Sequence, residues 1–142
     1  MVREGNGDIG MIHGGIVNDN IVFPVLDLIR KEVKEFGIDH GIPSVKLYRD
    51  HPLDDEVVTA VELTYESGLV EEIILIRGSD DESTYPEGLK PTHPDYEYCK
   101  YWRLTGVTIS YYNKGTNFQQ RYEIDLIYDK RGLLDSTTVR KI

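Results

Sequence analysis

Four histidines, one cysteine and several runs of carboxylates are the residues of this chain with the types and spacing to do chemistry. His51 and His93 each stand before a proline, and each is followed by acids, Asp54-Asp55 and Asp95. A histidine beside carboxylates has the makings of a zinc site, or of a general base with its orienting partner. His13 and His40 complete the set, but no helical His-x-x-x-His pair or other metal-ligand spacing occurs. His-Pro in a loop is more often plain turn chemistry. Cys99 lies in the run Tyr98-Cys99-Lys100-Tyr101-Trp102, which reads as an aromatic strand. On a regular strand Lys100 points to the opposite face and leaves the thiol pKa alone. A small buried hydrophobe is the expectation for Cys99. No Gly-x-Ser-x-Gly elbow is present. Gly5-x-Gly7 lacks both the preceding strand and the Lys-Ser/Thr of a phosphate loop.

Carboxylates occur in three groups: Asp54-Asp55-Glu56, Glu71-Glu72 and Asp80-Asp81-Glu82. Adjacent acids on a strand point to opposite faces and cannot act as a pair. Asp80-Asp81-Glu82 lacks the spaced oxygens and central glycine of an EF-hand loop. The residues therefore predict no catalytic centre, no metal and no cofactor. Tyrosine is the odd feature, with ten against three phenylalanines, several of them between Tyr85 and Tyr112. Tyrosine is favoured both in sheets and at binding surfaces.

The elements that must position these residues begin with a glycine-rich stretch, 1–17, read as irregular, in which Ile9, Met11, Ile12, Ile16 and Val17 are able to cover an edge. Asn18-Asp19-Asn20 offers capping side chains. Val25, Leu26, Leu28, Ile29, Val33 and Phe36 then form one helical stripe, which Gly37 stops. Val45 to Arg49 is a short strand. Glu56 to Glu66 alternates apolar and polar, Ser67-Gly68 turns, and Leu69 to Ile76 returns as a hairpin. A two-residue loop sets Val61 beside Ile74; a three-residue loop sets it beside Ile73. The doubly apolar run Ile73-Ile74-Leu75-Ile76 suggests a central strand. Residues 78–95 are acidic, carry three prolines and read as one long loop, a kind that is usually functional or disordered. Tyr96 to Tyr112 reads as a long strand with a bulge or bend at Gly106. Phe118 to Tyr128 alternates almost without fault, and Leu133 to Lys141 closes the sheet after the turn Asp129-Lys130-Arg131-Gly132.

The expected architecture is α+β, one domain over 1–142, with one amphipathic N-terminal helix on an antiparallel meander of about five strands. Its element order resembles cystatin-like and NTF2-like curved sheets, although no residue motif carries a family.

A single cysteine rules out an internal disulfide framework and fits a reducing compartment. No apolar run reaches the roughly 18 residues of a membrane span, and the N-terminus lacks a signal-peptide core, so a cytoplasmic protein is expected. The net charge of −9 disfavours nucleic acid, since Arg30-Lys31, Lys130-Arg131 and Arg140-Lys141 are scattered pairs.

These features predict a non-enzymatic acidic protein that recognises a basic protein partner, such as an immunity protein or an inhibitor of a nucleic-acid-acting enzyme. The expected contact set is Asp54, Asp55, Glu56, Asp80, Asp81, Glu82 and Glu87, with Tyr85, Tyr96 and Trp102 as anchors. One alternative is a small-molecule-binding or enzymatic domain with a pocket between helix and sheet, lined by Tyr122, Asp125, Tyr128 and His93. Another is a homodimer joined through an edge strand, either Val45 to Arg49 or the C-terminal strand.

Overall fold

The computed structural model describes residues 25–33 and 41–142. Helix α1 spans 25–32. The expected caps at 18–20, the stop at Gly37 and the glycine-rich stretch 1–17 lie outside the described residues. Along α1 and the residue that follows it, Leu26, Ile29 and Val33 recur at helical spacing and are buried. They join Val107, Ile109, Tyr111, Tyr122, Ile124 and Leu126 of the sheet in one core. Leu28 departs from the expected stripe: it is 62% exposed. One residue away from Ile29 is a turn of about 100° round the helix, enough to carry it off the buried face.

The sheet has six antiparallel strands in chain order, against the five or so expected. They are β1 (Ser44–Tyr48), β2 (Ala60–Thr64), β3 (Leu69–Arg77), β4 (Leu104–Asn113), β5 (Gln119–Tyr128) and β6 (Leu134–Lys141). The short β1 matches the strand expected over Val45 to Arg49 and pairs with β2 along its whole length. β1 and β6 are the edges. Period-2 alternation explains the layering: Tyr122, Ile124 and Leu126 are buried against the helix, while Gln119, Arg121 and Ile127 of the same strand are exposed. In the β2–β3 hairpin Val61 faces Ile73. Its turn needs Gly68, which has a φ of +95°.

Two expected strands are shorter than predicted. β2 begins only at Ala60, because Asp54 accepts the Glu56 backbone N–H at 2.9 Å and holds 54–57 in a turn. The long strand from Tyr96 is replaced by helical turns. Pro94–Glu97 is a short helix, α2, and Tyr98–Trp102 continues it as a π-type turn before β4 starts at Leu104. The register slips between Ile76 and Arg77, so that Thr105 bulges beside Gly106 and its hydroxyl reaches the carbonyls of Ile76 and Gly78 at 3.2 Å. Such a bulge is what the glycine predicted.

A meander sends alternate connections to opposite ends. Residues 49–59, 78–103 and 129–133 therefore meet at one end of the sheet, and 65–68 and 114–118 at the other.

Candidate functional site

The three connections at the first end are locked together by specific contacts. His51 Nε2 lies 2.7 Å from the Tyr101 carbonyl, and Nδ1 accepts the Leu53 N–H at 3.1 Å. Since a carbonyl can only accept, Nε2 carries the proton and both ring nitrogens are engaged. The ring also stacks on Trp102, with centroids 4.4 Å apart and planes 9° from parallel. His51 thus pins 49–59 to 98–102, and has no lone pair left for a metal. Gly78 allows the same closeness on the other side. At a φ of +77°, any Cβ there would overlap the Lys100 carbonyl. The Glu87 N–H donates to the Lys130 carbonyl at 2.8 Å, tying 78–95 to 129–133.

Within the long connection, Tyr85 is buried, donates its hydroxyl to the Ser79 carbonyl and meets Tyr96 edge-on at 5.3 Å. Burial, then the neighbouring Tyr96, pushes its phenol pKa up. Tyr85 therefore shapes the loop from inside; the expectation of a surface anchor is corrected at this position. Tyr96 and Trp102 are half-buried. Asp81 caps the turn Glu82–Thr84, accepting from Ser83 N at 3.0 Å and Ser83 Oγ at 2.6 Å, which holds its carboxyl below the usual range.

The remaining acids of the expected set are on the outside. Asp55, Glu56, Asp80, Asp81, Glu82 and Glu87 are exposed and Asp54 is half-buried. Among the described residues, Glu87 alone of these has a cation within 4 Å, Lys130 at 3.9 Å. The fold thus brings the acids of 54–56 and of 80–87 to the same end of the sheet.

Two arginines lie beneath this rim, and sequence reasoning passed over both. Arg103 is only 3% exposed. Its guanidinium sits 4.0 Å over the Tyr128 ring, and Nη2 donates to the Thr84 carbonyl at 3.1 Å. Arg77 Nη1 donates to the Trp102 carbonyl at 3.3 Å, and burial lowers its pKa. Among the described residues, Nε and Nη1 of Arg103, and Nε and Nη2 of Arg77, are buried without an acceptor. The available signal was a single arginine ending the apolar run Ile73-Ile74-Leu75-Ile76, and another following an aromatic run.

The four polar groups expected to line a pocket are not gathered together. Tyr122 faces the helix side, and its hydroxyl is buried without a partner among the described residues. Asp125 lies on the other face, bonded to Arg140 at 2.5 Å. Tyr128 donates to the Leu104 carbonyl. His93 caps α2, its Nδ1 accepting the Asp95 N–H at 3.1 Å. Cys99 is buried as expected, though on a helical turn; desolvation raises its thiol pKa. Among the described residues no group of three or more His, Cys, Asp and Glu could hold a metal ion. No helix among them is long and apolar enough to cross a membrane. The chain matches no family model, no curated protein and no solved structure.

Proposed function

We propose that this protein is a non-enzymatic binding module that recognises a basic protein surface through the acidic end of its sheet. An immunity protein, or an inhibitor covering the cleft of a nucleic-acid-acting enzyme, has this chemistry. The observation that carries the reading is the meeting of two carboxylate clusters, Asp54-Asp55-Glu56 and Asp80-Asp81-Glu82, exposed at all but the half-buried Asp54, on connections locked by the His51 contacts. Their carboxylates, apart from the local caps made by Asp54 and Asp81, are not spent on internal ion pairs among the described residues. Charges held on a fixed frame give fast, steered association with a complementary partner. Tyr96 and Trp102 are the half-buried aromatics able to offer an apolar contact beside that rim.

The test is capture from lysate at low and at high salt, followed by association kinetics of the captured partner. A basic protein that associates more slowly with Asp80/Asp81/Glu82→Ala supports the reading. A partner indifferent to that variant rejects this surface.

A further inference from the structure

Independently of the acidic rim, we propose that β6 is a self-recognition edge, on which a second copy of this chain pairs antiparallel about a two-fold axis at Thr138. Strand Leu134–Lys141 is an outer strand of the sheet, and among the described residues nothing pairs with its far side. The direction of its free groups follows from its bonds to β5. The Ile142 N–H donates to the carbonyl of Arg121 at 2.8 Å, and Arg140 and Thr138 lie opposite Glu123 and Asp125 in the same ladder. Main-chain groups of an antiparallel strand point alternately to one side and the other. Those of Arg140 and Thr138 therefore point to β5, and those of Thr137, Val139 and Lys141 point outward. An open row of this kind is a template for another strand.

The two edges of the sheet differ in protection. β1 has five residues, follows Pro43 and carries Lys46 at its centre. Shortness, proline and lysine all blunt an edge, and pairing two β1 strands about their midpoint sets Lys46 against Lys46. β6 has eight residues and no proline, and its charges, Asp135, Arg140 and Lys141, lie towards its two ends. Between them run Ser136, Thr137, Thr138 and Val139, with Val139 43% exposed. Threonine and valine favour strand pairing. The single irregularity lies at Asp135 and leaves 136–141 in regular register with β5.

Symmetry fixes how two such strands meet. A two-fold axis normal to the sheet keeps the same face up in both copies, so opposed residues share odd or even numbering. Centring on Thr138 opposes Thr137 to Val139, Ser136 to Arg140 and Asp135 to Lys141, each twice. Thr137 and Val139 exchange their outward main-chain bonds, and Asp135 sits beside a cation at each end of the seam. Opposite charges across a strand pair stabilise it. Centring on Thr137 or Val139 loses the Asp135–Lys141 match, and centring on Arg140 sets arginine against arginine. The Arg140 guanidinium is already bonded to Glu123 and Asp125 of its own sheet, so it brings little free charge to the seam. The acidic clusters of the rim lie on connections, away from this strand.

The experiment is sedimentation equilibrium of the full chain over a concentration series. The wild-type mass is expected to rise from one copy to two. Asp135→Lys and Lys141→Asp, at exposed positions, are each expected to weaken the dimer about tenfold by setting like charges together twice, and Asp135→Lys/Lys141→Asp to restore it. Oxidative cross-linking gives a reading that does not depend on these variants. Thr138→Cys is expected to form a disulfide-linked dimer, because a non-hydrogen-bonded pair brings its Cα atoms to about 4.5 Å, within disulfide reach. Ser136→Cys, opposed to Arg140, is expected to stay unlinked, and the native Cys99 is buried. A chain that remains monomeric up to about 0.5 mM overturns the proposal. A dimer that neither charge reversal weakens, or one that links through Ser136→Cys as readily as through Thr138→Cys, overturns it too and points to another surface. Neither result bears on partner capture by the acidic rim.

Discussion

Arg30 of α1 grips Glu71 of β3 with two parallel hydrogen bonds, Nε to Oε2 at 2.8 Å and Nη2 to Oε1 at 2.5 Å. Glu71 is completely buried, and Tyr111 also donates its hydroxyl to Oε2 at 2.6 Å. The apolar contacts of Leu26, Ile29 and Val33 press the helix on the sheet; this pair adds a fixed point between them. The Arg30 side chain keeps 32% of its surface exposed and can rehydrate if released, whereas Glu71 cannot. Removing the arginine alone therefore strands a buried carboxylate. Arg30→Met is predicted to cost about 3–5 kcal/mol in chemical denaturation. Arg30→Met/Glu71→Met is predicted to be more stable than Arg30→Met, because the stranded charge is gone. A double variant no better than the single one would show that the pair does not carry this energy.

Alkaline pH probes the same cluster. Burial first, then the Glu71 carboxylate, pushes the Tyr111 phenol well above its usual value. A raised pKa favours the native state fully below the unfolded pKa of about 10, and that advantage fades as pH rises through the folded value. Urea midpoints are expected to fall above pH about 10, and to fall less steeply in Tyr111→Phe. Equal slopes in the two proteins would contradict this.

Gly78 and Gly88 make a controlled comparison. Both have positive φ, +77° and +79°, but a Cβ at Gly78 strikes the 98–102 turn while at Gly88 it meets nothing within 4 Å. Gly88→Ala pays only for the left-handed backbone, about 1–2 kcal/mol. Gly78→Ala must also displace main chain and is predicted to lose more, with the loss read from thermal or urea unfolding. Similar losses would mean that the close approach at Gly78 is dispensable.

Trp102 is the one tryptophan of the chain and lies under the His51 ring. His51→Ala removes that cover and the bond to the Tyr101 carbonyl. The emission maximum is expected to shift to the red as the indole gains water, with the far-ultraviolet β signal unchanged. An unshifted maximum would show that His51 does not hold the two connections together.

The sheet was legible because its signals are local and periodic. The alternation from Phe118 to Tyr128 and the Gly68 turn need no long-range information, and the glycine at 106 announced its bulge. The 94–102 segment misled because Tyr98, Tyr101 and Trp102 are good strand residues. His93-Pro94-Asp95 is a cap, a first-turn proline and an early acid, a combination that a plain turn shares. Adjacent Glu71 and Glu72 were rightly assigned to opposite faces, yet nothing local said that Glu71 would be buried beside Arg30, 41 positions away. The two orphaned arginines stayed invisible for the same reason. A buried charge is identified by what surrounds it, and those neighbours, Thr84, Trp102 and Tyr128, come from separate stretches of chain. The gathering of the acids was half legible: each cluster was plain, while their meeting depends on strand order.

The central claim, that the acidic end of the sheet is a recognition surface, is tested most directly by the association rate of the captured partner with wild type and with Asp80/Asp81/Glu82→Ala over a range of salt. A rate that falls with salt in the wild type, and is both slower and flatter in the variant, is the predicted result. Equal rates with equal salt dependence would contradict it.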